Sequence, residues 1–358
     1  MGGINRFRAT IDTAFLLLRN GCAALREREV LTIKTPVSRV GNKTAILHIL
    51  YALFPLNYGR FVDVFGGSGS VLLGNPELCP FEVYNDFDRN LANLFRCMKE
   101  RTMAVIRELG FCHMNSREDF IAVRRFFNNE QFDDKYLSEE LRLTEALFPF
   151  PEANELKEIR TRITQDYDVR RAAMFLKLLR FSYSSSGKSY ASQPFDLRRL
   201  FGLISQLQER MANVVVENQD FETIIKHYDR PDTFFYLDPP YFSTEDMYEV
   251  GFGWNDHVRL RDTLKSIKGK FLLSYNDCEE IRKLYNGFSI FDFSRTHSMA
   301  QRYEAGKEFK ELLIGNYDLY EREKAKPKQL TLFETESENT NFDYERILKE
   351  CIVCKTQK

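Results

Sequence analysis

The chain has 358 residues, 43% apolar and 29% charged, which fits about two packed domains and excludes wholesale disorder or a fibrous repeat. Lysine and arginine total 51 against 52 aspartates and glutamates, so the net charge of −1 excludes a generic polycation coating nucleic acid but leaves room for a local basic cleft. Seven cysteines, an odd number scattered along a long chain, argue against a secreted disulfide framework and for a reducing compartment.

Residues 1–33 read as a short helical extension with no assigned function. Their apolar stretch at 14–18 is too short for a signal-peptide core, and no run anywhere approaches the roughly 18 apolar residues of a membrane span. A cytoplasmic protein without a membrane role is expected. Residues 43–53 carry apolar positions at helical spacing before Pro55. A buried-strand pattern at 61–65 runs into Gly66-Gly-Ser-Gly69, with a helix expected from Ser70. A second strand is expected at 81–85 and a helix from about Asp88. This alternation predicts a parallel α/β sheet.

From 100 to 211 the pattern changes to charged, helical periods without strand alternation. Residues 169–180 form the clearest helix, ending at the loop Ser182-Tyr-Ser-Ser-Ser-Gly187-Lys-Ser. Strands are expected again at 213–216, 233–237, 270–275, 288–293 and 311–315. The expected division is therefore a core domain over 34–99 and 212–320, a helical insertion over 100–211, and a polar tail over 321–358.

Three local patterns carry chemistry. Asp63-Val-Phe-Gly-Gly-Ser-Gly69 follows a strand, where glycines permit a tight turn and close backbone approach to a ligand. A nicotinamide-type fingerprint needs a further glycine at position 72, which is Leu72. Asp86 ends the next strand, where an acid can accept from both ribose hydroxyls of an adenosine ligand, or can simply cap the following helix. Asp238-Pro-Pro-Tyr241 fixes a carboxylate and an aromatic ring at the end of a parallel strand. The string Gly41-Asn-Lys-Thr44 is not a phosphate loop, because the glycines that motif needs at 37 and 42 are Val37 and Asn42.

With Gly41-Asn-Lys43, Tyr84-Asn-Asp-Phe-Asp88, Asp220-Phe221, Ser274-Tyr-Asn276 and Glu311-Leu-Leu-Ile-Gly-Asn-Tyr317, these motifs resemble those of the Dam-like DNA adenine methyltransferases, and in the same order. The resemblance covers about 34–94 and 160–317. It implies a Rossmann-like, S-adenosylmethionine-dependent methyltransferase sheet with an inserted, mostly helical target-recognition domain. The cofactor would be held by Asp63, Phe65, Gly67 and Gly69 of the loop, by Asp86 at the ribose, and by Asp220 and Phe221 at the adenine. Lys43 would reach the methionine carboxylate, although this segment lacks the family's usual Gly-Gly-Lys.

The resemblance also implies a modification enzyme of the restriction–modification kind. Asp238 and the Pro239 carbonyl would accept from the amino group of a flipped adenine in double-stranded DNA, Pro240 would stiffen the strand end, and Tyr241 would stack on the base. Cytosine N4, RNA adenine or a silent DNA-binding module are the alternatives. Arg170, Arg171, Lys177, Arg180, Lys188, Arg198 and Arg199 against Asp196 alone suggest a DNA-contacting segment. From it Arg180, Tyr183, Lys188 and Tyr190 are the candidate DNA contacts. In the tail, Gln329, Leu330, Leu332 and Phe333 resemble a peptide that docks on the replication sliding clamp. Cys351 and Cys354 form one CxxC without a second pair, so no metal is expected.

Overall fold

The apolar runs of the core become a sheet whose middle strands are covered on both faces. The computed structural model describes residues 33–39, 41–111, 116–129, 137–166, 168–185, 187–191, 196–242, 251–296 and 308–325. A main unit ends at Arg322; the remaining unit, Glu323–Lys358, lies almost wholly outside the described residues, and with it the 329–333 segment, Cys351 and Cys354.

Among the described residues the strands are β1 (Arg60–Asp63), β2 (Phe81–Asn85), β3 (Val214–Glu217), β4 (Thr233–Leu237), β5 (Lys270–Asn276), β6 (Ser289–Thr296) and β7 (Glu308–Gly315). They form one sheet in the order β3-β2-β1-β4-β5-β7-β6. The first five are parallel, and β7 runs antiparallel to both β5 and β6. All five residues of β4 are buried, as expected for a central parallel strand covered on both faces. The expected Rossmann-like sheet is therefore present. Strand order reverses between β1 and β4, so their carboxyl ends sit side by side, with Asp63 in register with Tyr236. Such a reversal opens a crevice where ligands of α/β proteins bind.

The α-helices of five residues or more among the described residues are, in chain order, α1 (Leu47–Leu53), α2 (Ser70–Gly74), α3 (Arg89–Glu100), α4 (Thr102–Phe111), α5 (Arg117–Asn129), α6 (Leu137–Leu147), α7 (Glu152–Asp166), α8 (Val169–Phe181), α9 (Arg199–Arg210), α10 (Phe221–Tyr228), α11 (Trp254–Lys265) and α12 (Glu279–Leu284). The helix expected over 43–53 begins instead as a 3-10 turn, Thr44–Ile46. Asp88 caps α3 by accepting from the Asn90 N–H, and Asp168 caps α8 by accepting from Arg171 N–H. α8 is buried on nearly every face because it packs against α3, α4 and α5. Even Lys177 is fully buried there, its Nζ donating to the Glu108 carbonyl at 3.1 Å. No helix among the described residues is long and apolar enough to cross a membrane.

One ion pair ties the end of α9 to the sheet. Arg210 donates to both Glu82 oxygens, at 2.5 and 2.9 Å, and to the Leu72 carbonyl at 2.7 Å, with both side chains almost fully buried. Removing one partner leaves the other charge buried alone. Glu82→Ala should therefore lower the unfolding free energy by about 3–5 kcal/mol. Replacing both residues by methionine should cost much less, and urea denaturation of the two variants distinguishes these outcomes.

Candidate active site

The chain leaves β1 and turns at once. Gly66 N–H donates to the Asn85 carbonyl at 2.7 Å, which brings its backbone against Tyr84. A Cβ at Gly66 would stand 2.3 Å from the Tyr84 ring, so only glycine fits. Gly69 has φ +69° and opens α2 from the left-handed region, a second position that favours glycine. Asp86, at the end of β2, accepts from the Gly67 and Asp88 N–H groups, both at 2.8 Å. Burial pushes its carboxyl above the ordinary value, and the Arg39 guanidinium works against that rise. Arg39 pairs with Asp88 at 3.0 Å.

The end of β4 delivers Asp238 beside this loop. Lys43 Nζ lies 2.6 Å from Asp238 Oδ2, 3.2 Å from the Gly41 carbonyl and 5.0 Å from the Tyr241 ring centroid. Burial opposes the Lys43 ammonium, but the charges of Asp238, Tyr241 and Glu311 outweigh it and hold the group above the usual lysine value. Tyr241 and Ser274 share a hydrogen bond of 2.9 Å between their hydroxyls. Asn276 Nδ2 donates to the Phe242 carbonyl at 3.1 Å, tying the segment after the prolines to β5. Glu311, buried on β7 opposite Asn276, was a sequence motif residue without an assigned role.

The end of β3 supplies the third wall. Asp220 caps α10, its Oδ1 accepting from the Glu222 N–H at 3.0 Å. The Phe65 and Phe221 rings lie 5.8 Å apart, and Phe252 meets both, at 6.0 and 5.8 Å. One cleft is lined by Lys43, Asp63, Phe65, Gly67, Asp86, Asp220, Phe221, Asp238 and Pro240. Gly69 supports it from the start of α2, and Tyr241 stands beside Lys43. Arg39, Phe252, Asp256 and Arg259 also line the cleft, and sequence reasoning missed them. The only local signal was an aromatic between two glycines, Gly251-Phe-Gly253, just before a helix.

The recognition candidates lie elsewhere, on a small hairpin after α8. Ser182 and Tyr190 form an antiparallel bridge, and Gly187 turns the loop with φ +74°. Tyr183 and Lys188 are exposed on it. Tyr190 is held at its base, with Phe120 at 5.6 Å and the Arg117 guanidinium at 5.7 Å. Arg180 is turned inward, donating from Nε at 3.1 Å and from Nη2 to the Pro36 carbonyl. The seven cations counted over 170–199 thus do not form one exposed face. Arg170 faces Glu108, Arg171 donates to Asn90, Lys177 is buried, and Arg198 forks onto Asp196.

A sheet of this order, with a glycine loop after β1 and acids after β2, β3 and β4 around one cleft, defines a Rossmann-like methyltransferase. More narrowly, the chain belongs to the D12 class of N6 adenine-specific DNA methyltransferases, whose family model matches residues 40–299. It is 24% identical to the type II methyltransferase M1.LlaDCHI of Lactococcus lactis subsp. cremoris, over 82% of this chain and 99% of that one. It is 20% identical to the type II methyltransferase M.CviBI of Paramecium bursaria Chlorella virus NC1A, over 74% of this chain and 91% of that one.

A methyltransferase of this family calls for a methyl-donor cofactor, and the cleft has the chemistry for S-adenosylmethionine. Asp63 Oδ1 is buried without a hydrogen-bond partner among the described residues and can accept from an ammonium group. A Cβ on Gly67 would meet only the Phe65 carbonyl, at 3.9 Å, so that position opens into free space. Burial drives the Asp63 carboxyl well above the ordinary carboxylate value, and the Asp238 and Asp86 charges drive it further. The neutral acid is therefore favoured by folding. Its stabilising contribution is full below the unfolded pKa and is lost as pH rises through the folded one. Asp63→Asn has no charge to develop. Its stability relative to the parent should rise as pH climbs above the ordinary carboxylate range, as measured by urea unfolding at each pH.

Proposed function

We propose that this chain uses S-adenosylmethionine to methylate the N6 amino group of adenine in double-stranded DNA, with residues 100–211 as its target-recognition insertion. The observation that carries the reading is the placing of Asp238, held by Lys43 at 2.6 Å, in the same cleft as the glycine loop and Asp86. The type II names of the two relatives support a place in a restriction–modification pair.

Asp86 accepts from ribose hydroxyls, and Phe65 and Phe221 offer ring faces to a purine. Bound there, S-adenosylmethionine supplies an electrophilic methyl group on a positively charged sulfur. The target atom lies inside the duplex, so the base is flipped, at a cost of about a few kcal/mol. Asp238 and the Pro239 carbonyl accept from its two amino hydrogens and leave the nitrogen lone pair free to react. These acceptors are fixed in advance by the two prolines and by Lys43, so little reorganisation is needed. Asp238 is also the carboxylate placed to take the proton that the amine sheds. Tyr241, oriented by Ser274, stacks on the base. Lys43, which resemblance assigns to the methionine carboxylate, in this reading serves Asp238.

Asp238→Ala should reduce N6-methyladenine formation by about 10²–10³-fold or more while leaving cofactor affinity within a few-fold. Nucleoside mass spectrometry and calorimetry check the two halves. Abolished cofactor binding in the folded variant would refute this division of roles. At the hairpin, Lys188→Ala should weaken DNA binding evenly across sequences and reduce the slope of log affinity against log salt by about 1. The 329–333 segment keeps its reading as a clamp-docking peptide on sequence grounds alone. A peptide of residues 325–337 should bind the clamp in fluorescence anisotropy, and no binding at high micromolar clamp excludes it.

A further inference from the structure

Asp220 does not stand alone at the purine end of the cleft. Arg259, from α11, grips it with both arms: Nη1 is 2.9 Å from Oδ1 and Nη2 is 2.9 Å from Oδ2. The same guanidinium lies 4.1 Å from the Phe221 ring centroid. Its own direction is set by Asp256 at 3.0 Å and Glu222 at 3.3 Å. Asp256 in turn accepts from the Gly253 N–H at 3.0 Å, which ties the arrangement to the start of α11.

The acceptor count gives this cluster a consequence. Each carboxylate oxygen offers about two lone-pair sites. Asp220 Oδ1 takes Arg259 Nη1 and the Glu222 N–H. Oδ2 takes Arg259 Nη2, so one acceptor position remains. Held by the guanidinium fork, Asp220 presents its oxygens as acceptors. What remains is a single oriented acceptor beside an aromatic face. It suits a purine with an exocyclic amino group and opposes one with a keto oxygen in the same place.

We propose that Arg259 is a positioning residue that makes this cleft selective for an adenine-bearing cofactor over its hypoxanthine counterpart, by fixing Asp220 as a lone acceptor and bracing Phe221. The proposal rests on the cofactor reading above. It adds a residue that lies 39 positions from Asp220 and outside every motif.

The test is calorimetric binding of two nucleosides, S-adenosylhomocysteine and S-inosylhomocysteine, to the full chain. The parent should prefer the adenosyl compound by tenfold or more. Arg259→Met keeps bulk against Phe221 but removes the fork. It should weaken adenosyl binding about tenfold and bring the preference within threefold. Arg259→Lys keeps the charge without the fork and should fall between. Asp86→Ala should weaken both compounds alike and leave the ratio intact, separating selectivity from general damage to the cleft. An unchanged ratio in a folded Arg259→Met or Arg259→Lys variant overturns the proposal. A parent that binds neither compound overturns the cofactor reading itself, and the proposal with it.

Discussion

The contact on which the site depends is the ion pair between Lys43 and Asp238, two residues 195 positions apart that meet at 2.6 Å. The lysine side chain is 4% exposed and the aspartate 19%, so both charges have largely left water. Desolvation of this kind costs several kcal/mol per ion and is offset only when the geometry is good and the remaining donors find partners. Here the Gly41 carbonyl takes a second ammonium hydrogen, and the Tyr241 ring presents its face. The pair can form because strand order reverses between β1 and β4. Lys43, before α1, and Asp238, after β4, both line the crevice at that reversal.

Around that pair the cleft gathers acids, and each is handled differently. Asp238 is balanced by Lys43. Asp220 is balanced by Arg259, at a more exposed position. Asp86 is stabilised by two backbone N–H groups and faced by Arg39. Asp63 is buried beside the charges of Asp238 and Asp86, which raise its carboxyl further, while a backbone hydrogen bond from Leu72 works against the rise. A ligand carrying positive charge would therefore relieve a repulsion already present in the protein.

Much of this was legible in the residues. The strands expected at 81–85 and 233–237 appear at Phe81–Asn85 and Thr233–Leu237, because a short apolar run bounded by turn residues has few other ways to be buried. The glycine loop and the Asp-Pro-Pro-Tyr string were visible because their function depends on backbone shape, which only particular residues permit. Arg259 and Arg39 were invisible, since an arginine on a polar helix or loop carries no sign of what lies across the crevice. The burial of Lys177 within the 170–199 segment was invisible for a related reason. Periodicity identified α8 but could not show that its far face is covered by α4 and α5, which turns Lys177 from a surface cation into a core residue.

That burial matters for the hairpin. The serine-rich loop 182–190 has a composition typical of a mobile segment, yet it is held at several points. Ser182 Oγ accepts from the Gly187 N–H at 2.8 Å, the Tyr183 N–H reaches the Ser189 carbonyl at 2.7 Å, and Arg124 donates to the Lys188 carbonyl at 2.6 Å. The hairpin leaves the end of α8, whose start is locked to α3 by reciprocal hydrogen bonds between Asn93 and Asp168, at 2.9 and 3.1 Å. The cap of α3 is Asp88, two residues after Asp86 and paired with Arg39. A chain of packed helices therefore connects the Asp86 end of the cleft to the exposed Tyr183 and Lys188.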